Sequence, residues 1–294
     1  MIPYHNIDPI AFKLGPLAVH WYGITYLCAF VTAWYIGVQR AKLPNAIINR
    51  QQVEDLITWG AFGVIIGGRL GSVFFYNFET FKEDPLWALR LWEGGMSFHG
   101  GLLGVMLSMY LYAWKLKISY VGLMDFVAPL VPLGLFFGRI GNFIGGELWG
   151  RATDVSWGMI FPKDVEQLIR HPSQLYQACL EGLLLFVIVF WFSRKPRPRG
   201  AVSAIFLMGY SVFRFIVEFY REPDVGVSGF IGQSRGQDLS ILMFSFGVCV
   251  LIYAYTFGRR YLVSADSAPN KPNKNQLKRQ KNKMYFLRFS CSNI

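Results

Sequence analysis

Long apolar runs alternate with short polar connections along nearly the whole chain, at 19–37, 56–76, 96–114, 121–137, 175–192, 201–220 and 239–258. Each approaches the ~20 residues that carry a helix across a bilayer. The runs are too long and too continuous for barrel strands, which alternate over ~10 residues. Backbone amides in lipid must be satisfied within the segment. The pattern therefore predicts an all-α polytopic membrane protein with about seven transmembrane helices.

The connections differ in charge. The first carries Arg40, Lys42 and Arg50, the third Lys115 and Lys117, and the fifth Arg194, Lys195, Arg197 and Arg199, while Arg259 and Arg260 follow the last run. The second instead holds Glu79, Glu83, Asp84 and Glu93 against Lys82 and Arg90. Basic loops stay cytoplasmic, so an odd number of crossings puts the N-terminus outside and the C-terminus inside. Within the second connection, Leu86-Trp87-Ala88-Leu89-Arg90-Leu91-Trp92 has the composition of a segment in the headgroup layer or of a loop with aromatic anchors. The fourth connection, about 138–174, is rich in Gly, Arg, Asn and Glu and too long for a turn, which predicts a loop domain on the outer side. Residues 1–263 are then the membrane-embedded domain, and 264–294 a basic, disordered cytoplasmic tail.

Composition sharpens this picture. Of 294 residues, 53% are hydrophobic, 17% aromatic and 16% charged, with mean hydropathy +0.32. Soluble domains carry about 25% charged residues, so there is too little material for a water-facing shell. The net charge of +11 would suggest nucleic acid in a soluble protein. Much of the excess sits in the tail, however, at Lys271, Lys274, Lys278, Arg279, Lys281, Lys283 and Arg288, opposed there only by Asp266. Lipid headgroups attract such a tail, and no nucleic-acid partner is expected. Cys28, Cys179, Cys249 and Cys291 lie far apart without zinc-binding spacing and read as core packing, so no metal site is expected. The first residues, with Pro3, His5, Asp8 and Pro9, do not read as a cleavable signal peptide.

Ionisable residues inside spans cost ~2.5–3.5 kcal/mol each on insertion scales. In the predicted orientation His20, Tyr22, Arg69, His99, Arg139, Arg214 and Glu218 all lie toward the outer ends of their runs. Arg214 and Glu218 are four apart and share a helical face. A lipid headgroup lies at that level, whereas a transporter is expected to hold its charges near the midplane. Asp125 and Glu181 fall off the pattern. Glu181 reads as a helix–helix hydrogen-bond partner and is assigned no chemistry.

The densest motif is Gly138-Arg139-Ile140-Gly141-Asn142-Phe143-Ile144-Gly145-Gly146-Glu147-Leu148-Trp149-Gly150-Arg151. Glycines let a backbone approach a ligand, and arginine offers a planar fork matched to phosphate oxygens. The stretch reads as an anion-handling loop for a phosphate diester; tight helix packing is the alternative. For the shorter Gly67-Gly68-Arg69-Leu70-Gly71, packing is the better reading. Ser97-Phe98-His99-Gly100-Gly101 offers an imidazole that is either a helix-cap partner or a catalytic group. Tyr210, one turn before Arg214, either points its hydroxyl into the same cavity or is an interfacial aromatic. Arg221-Glu222-Pro223-Asp224 needs no function beyond helix termination. Two other classes stay open on these residues: an anion transporter, and an intramembrane protease built on Ser97, around which no oxyanion hole is recognisable.

Taken together these motifs resemble the bacterial prolipoprotein diacylglyceryl transferases. The resemblance starts at Asp8-Pro9 and Gly15-Pro16 with His20-Trp21-Tyr22-Gly23, and continues through Gly94-Gly95-Met96-Ser97-Phe98-His99-Gly100-Gly101 and the 138–151 signature. It then takes in His171-Pro172-Ser173-Gln174-Leu175-Tyr176, Tyr210, Arg214-Phe215-Ile216-Val217-Glu218 and Arg221-Glu222-Pro223-Asp224. It implies transfer of the diacylglyceryl group of phosphatidylglycerol to the lipobox cysteine thiol of a prolipoprotein signal peptide, with release of glycerol phosphate. The implied location is the bacterial inner membrane, with the site facing the periplasmic leaflet and no cofactor. It also implies Tyr22, His99, Arg139 and Arg214 as catalytic residues, and Arg139, Asn142, Glu147, Gly150, Tyr210 and Glu218 as substrate-binding ones. On this reading His99 is the base, the arginines stabilise the leaving phosphate, and Glu147 and Glu218 hold the arginines. Two departures are Gly145, where the signature commonly has asparagine, and Gln177, where glutamate often follows the Tyr176 motif.

Overall fold

The structure, a computed structural model, describes residues 2–4, 7–15, 17–44, 46–222 and 234–257. The expected tail, Arg259, Arg260, Cys291, Pro16 and Pro223-Asp224 lie outside the described residues. An antiparallel hairpin, β1 (Ile10–Leu14) and β2 (Leu17–His20), pairs Ile10 with His20 and leads straight into α1 (Trp21–Ala41). α2 (Arg50–Phe75) opens on a reciprocal cap between Asn49 and Gln52. The second connection folds as α3 (Phe78–Glu83) and two 3-10 turns, Pro85–Leu89 and Leu91–Glu93. α4 (Phe98–Lys115) and α5 (Tyr120–Val127) start at serine caps, Ser97 and Ser119. α6 (Val131–Ile144) follows α5 after a 49° bend. Pro129 and Pro132 account for the bend, since neither has an N–H to donate and each ring crowds the preceding turn.

Beyond α6 lies a head with a two-stranded ribbon, β3 (Met159–Ile160) and β4 (Ile169–Arg170). α7 (Ser173–Gln177), a π-helical stretch (Ala178–Leu184) and α8 (Leu185–Ser193) then run as one helix, followed by α9 (Ala201–Glu218) and α10 (Arg235–Thr256). Five helices are long and apolar enough to cross a bilayer, or six with the bent α5–α6 pair as one span, against about seven expected. The run at 96–114 becomes α4, with His99 in its first turn and Lys115 at its end, which shortens the apolar stretch.

The outer end of the fourth run differs from expectation. α6 continues to Ile144, so Arg139, Gly141 and Asn142 stand on a helix and the head begins at Gly145. Glycine ordinarily weakens a helix. At Gly141, however, an added Cβ would lie 2.6 Å from Thr25 Oγ1 and 3.1 Å from the Tyr22 ring, so α1 packs onto α6 only because that side chain is missing. The cysteines also differ: Cys179 and Cys249 face out of the bundle rather than into a core, and Cys28 is half-buried.

Packing is concentrated at one end. Val53, Leu56, Tyr112, Leu123, Phe126 and Leu130 are buried together where α1, α2, α4 and α5 converge, and Ala128, Leu185, Val189 and Val202 form a second cluster. The basic connections gather at this same end. Arg40 Nη1 donates to Ser193 Oγ at 2.7 Å. Asp125 accepts from Gly200 N at 2.6 Å, Ser203 N at 2.8 Å and Ser203 Oγ at 2.7 Å. α9 has no side-chain cap within its own sequence, and Gly200 sits at φ 94°, so the cap comes from α5.

Toward the other end, α2 and α4 touch backbone to backbone. A Cβ on Gly67 would fall 2.4 Å from Gly100 O, and one on Gly104 would fall 2.2 Å from Gly63 O, which makes the Gly67–Gly71 motif a packing seam. Arg69, on the same helix, is buried and spent on the second connection. It donates to the carbonyls of Trp87, Ala88 (2.9 Å), Arg90 (3.0 Å), Gly94 and Gly95 (3.1 Å), with its guanidinium 4.0 Å above the Trp87 ring. That leaves Leu86, Leu89 and Leu91 facing outward.

Candidate active site

Polar side chains from α6, the α7–α8 helix and α9 meet away from the packed end. Arg139, near the C-terminal end of α6, places Nη2 3.9 Å from Oε2 of Glu181, which is fully buried. Its guanidinium makes no hydrogen bond with a described residue. Arg214, in α9, pairs through Nη2 with Glu218 Oε2 at 2.8 Å, while its Nη1 is buried without a hydrogen-bond partner among the described residues. Glu218 Oε1 accepts from Ser234 Oγ at 2.8 Å and so ties α9 to α10. Tyr210 stacks on Phe206 with ring centroids 6.2 Å apart, and it interacts electrostatically with Arg139, Glu181 and Arg214. Arg139, Arg214, Tyr210 and Glu218 are thus brought together, around the buried carboxylate of Glu181.

The remaining expected residues are arranged differently. Tyr22, on α1 beside α6, is 47% exposed, with its hydroxyl 3.0 Å from that of Tyr26 and within the field of Arg139. Asn142 is half-buried, and its amide makes no hydrogen bond with a described residue. His99 is exposed in the first turn of α4, its ring 5.6 Å from that of Phe98, without a hydrogen bond or ion pair to a described residue. It is not within bonding distance of either arginine. Glu147 holds neither arginine: its Oε1 pairs with Lys163 at 3.1 Å on an exposed surface, where such a pair contributes little. Gly150 is packed against backbone on the side where a side chain would stand. A Cβ there would lie 2.3 Å from Tyr220 O and 2.7 Å from His171 Cβ, and its N–H donates to His171 O at 2.8 Å.

Several further contacts support the site, some from the His171–Tyr176 motif and one from Tyr4, which carried no sequence signal. The Tyr4 hydroxyl donates to Phe143 O at 2.6 Å, covering a terminal carbonyl of α6, and burial pushes its pKa up to about 12. Gln174 Nε2 donates to Glu147 O at 2.6 Å and Ser173 Oγ to Leu148 O at 3.0 Å, so the His171–Tyr176 motif bolts the head onto α7. His171 Nδ1 is 3.0 Å from Tyr176 Oη, which also accepts from Trp157 Nε1 at 2.6 Å. Burial lowers the His171 pKa, which favours the neutral ring.

The head is clamped by Arg170. Its Nε meets Asp164 Oδ2 at 2.6 Å, its Nη2 meets Glu166 Oε2 at 2.5 Å and its Nη1 meets Glu222 Oε2 at 3.1 Å. The Arg170 guanidinium, with the backbone N–H groups of Glu166 and Leu168, holds the Asp164 carboxyl below its ordinary pKa against the opposing effect of burial. A depressed carboxylate adds stability that is complete above its unfolded pKa, about 3.9, and lost as pH falls through the lower folded value. Protease resistance of the head is therefore expected to fall in two stages on acidification, first below about 6.5, where the buried neutral ring of His171 opposes protonation, and again below about 4, as Asp164 takes up its proton. Asp164→Asn is expected to be less resistant at neutral pH and to show a flatter acid profile.

Comparison with known proteins places the chain as a whole. The model of the prolipoprotein diacylglyceryl transferase family matches residues 9–253. A relative from Teredinibacter turnerae is 53% identical over 282 residues, covering 92% of this chain and 97% of the relative. One from Acinetobacter baumannii is 55% identical over 261 residues, 87% of this chain and 95% of the relative. One from Acinetobacter baylyi is 53% identical over the same length. All three are named phosphatidylglycerol–prolipoprotein diacylglyceryl transferase. With a match that runs from the start of β1 into α10, the chain belongs to the prolipoprotein diacylglyceryl transferase family.

Proposed function

We propose that this chain transfers the diacylglyceryl group of phosphatidylglycerol to the lipobox cysteine of a prolipoprotein, the first step of bacterial lipoprotein maturation. The thiol sulfur attacks the glycerol carbon that bears the phosphate ester. A carbon–sulfur bond forms, the carbon–oxygen bond breaks with its electrons on the departing glycerol phosphate, and the thiol proton passes to a base. The observation that carries this reading is the pair Arg139 and Arg214, whose guanidinium N–H groups are largely unspent beside one buried carboxylate. Such forks match phosphate oxygens, and preorganised donors act most strongly where charge develops in a partly dry site.

A free thiol has a pKa of ~8.5 and needs help to ionise at neutral pH. His99 is the proposed base, because both of its ring nitrogens are open. Tyr22 and Asn142 position the headgroup, Tyr210 lines the site, and Glu218 holds Arg214. Glu147 and Gly150 act through the fold of the head. In the proposed topology α4 is a crossing as well, which gives seven; the end with the basic connections is cytoplasmic. The arginine site and the head then face the periplasmic side of the inner membrane.

The test is purified protein with phosphatidylglycerol vesicles and a lipobox peptide. The peptide is expected to gain the mass of one diacylglyceryl group as glycerol phosphate appears; peptide cleavage, or an unchanged peptide, overturns the reading. His99→Gln is expected to lower turnover by about 10²–10⁴ while lipid binding is retained. Near-normal turnover in that variant would remove His99 as the base.

A further inference from the structure

Glu181 takes no part in the proposed bond changes, yet it sits at the centre of the site. It is fully buried, its Oε1 accepts from Gln177 Nε2 at 3.3 Å, and its Oε2 has no hydrogen-bond partner among the described residues. That oxygen is 3.9 Å from Arg139 Nη2, and the charges of Arg214 and Arg221 also act on it. The backbone is built to bring it there. Ala178–Leu184 is π-helical, a widening of the helix often found at functional sites. Gly182 lets this stretch reach α6: a Cβ there would lie 2.6 Å from Phe136 Cβ and 2.9 Å from Phe136 Cα. Arg139 follows Phe136 by three residues, on the same helical face.

The two acidic partners in the site are used in different ways. Glu218 Oε2 approaches Arg214 Nη2 to 2.8 Å as a close ion pair without a hydrogen bond, whereas Glu181 stands off from Arg139 at 3.9 Å. At that separation a carboxylate offsets positive charge without occupying the guanidinium donors, which stay open to a ligand. Its negative charge also opposes an anion held by the same arginines.

We infer that Glu181 is an internal counter-anion that limits how tightly the Arg139–Arg214 pair holds phosphate, so that the spent headgroup can leave. The inference rests on the transferase reading above. A phosphodiester carries one negative charge, but a released phosphomonoester carries about 1.5–2 at neutral pH. An uncompensated arginine pair would therefore hold product more firmly than substrate, and release would limit turnover. Glu181 acts through the arginines and does not itself touch the reacting atoms.

Steady-state transfer by Glu181→Gln, in the full-length protein, tests this. Glutamine keeps the side-chain volume and a contact with Gln177 but removes the charge. Glycerol phosphate is expected to inhibit this variant about tenfold more tightly, with kcat about tenfold lower and KM for phosphatidylglycerol unchanged or reduced. A residue needed only for packing would raise KM or lower the amount of folded protein without tightening product inhibition. Unchanged or weaker inhibition by glycerol phosphate overturns the inference. If Glu181→Gln does not accumulate, Glu181→Asp draws the charge back by one methylene and is expected to tighten inhibition by a smaller factor. Unchanged inhibition in that variant overturns the inference equally. Absence of transfer in the unsubstituted chain is a separate result, and it would sink the transferase reading itself.

Discussion

Arg139→Ala is expected to lower transfer by about 10²–10³, the usual consequence of deleting one preorganised donor to a developing anion. Arg139 makes no hydrogen bond with a described residue, so little direct bonding in the fold depends on it. Its removal does leave Glu181 buried without its nearest cation, and an uncompensated buried charge costs about 3–5 kcal/mol. A second variant separates the two effects. Arg139→Ala combined with Glu181→Gln removes both charges, and it is expected to restore the amount of folded protein without restoring turnover. Arg139→Lys is expected to recover only part of the activity, because an ammonium is a point charge without the planar fork. Turnover of purified protein with phosphatidylglycerol and a lipobox peptide is the measurement. Activity near normal in Arg139→Ala would remove this arginine from the mechanism.

Gly150→Val is expected to unseat the head, at a cost of about 3 kcal/mol or more. The first added carbon alone would lie 2.3 Å from Tyr220 O and 2.8 Å from His171 O. Both are backbone atoms, and both are fixed by neighbouring bonds: Gly150 N donates to His171 O at 2.8 Å and Arg151 N to Tyr220 O at 2.9 Å. Relief requires parting the head from the end of α9, where Tyr220 follows the ion pair of Arg214 and Glu218. Thermal melting in detergent and limited proteolysis read this loss directly, and Gly150→Ala is expected to show a smaller version of it. If Gly150 instead met the lipid, the valine variant would melt normally and show only a raised KM.

The sequence carried the helices well because apolar runs of bilayer length leave few alternatives. It also carried the Arg214–Glu218 pair, because four-residue spacing on a helix fixes adjacency. The α5–α6 bend had its cause in view, Pro129 and Pro132, but apolar continuity across them hid the break. The extension of α6 through Gly141 was concealed for the opposite reason. Glycine reads as a helix breaker unless the neighbour that fills its space is known, and here Thr25 and Tyr22 come from a helix more than a hundred residues earlier in the chain.

The head was less legible still. Arg170 collects three carboxylates, one of them from Glu222, and no periodicity links those positions. Arg69 has the right chemistry for a phosphate site and Glu147 for holding an arginine, yet they are used elsewhere: Arg69 on loop carbonyls and Glu147 on Lys163. Glu181 lies off the common level of the other charges in the sequence, so nothing there marks it as part of the site. The π-helical stretch and the closeness of Gly182 to α6 are what bring it to Arg139, and neither is visible as a motif.

The cap that Asp125 lends to α9 also bears on how the chain is assembled. The first amides of α9 are bonded to a carboxylate made 75 residues earlier. Until α5 is seated beside them, those amides can be satisfied only by water at the end of the bundle. The first half of the protein thus supplies a contact that the later α8–α9 hairpin completes when it packs.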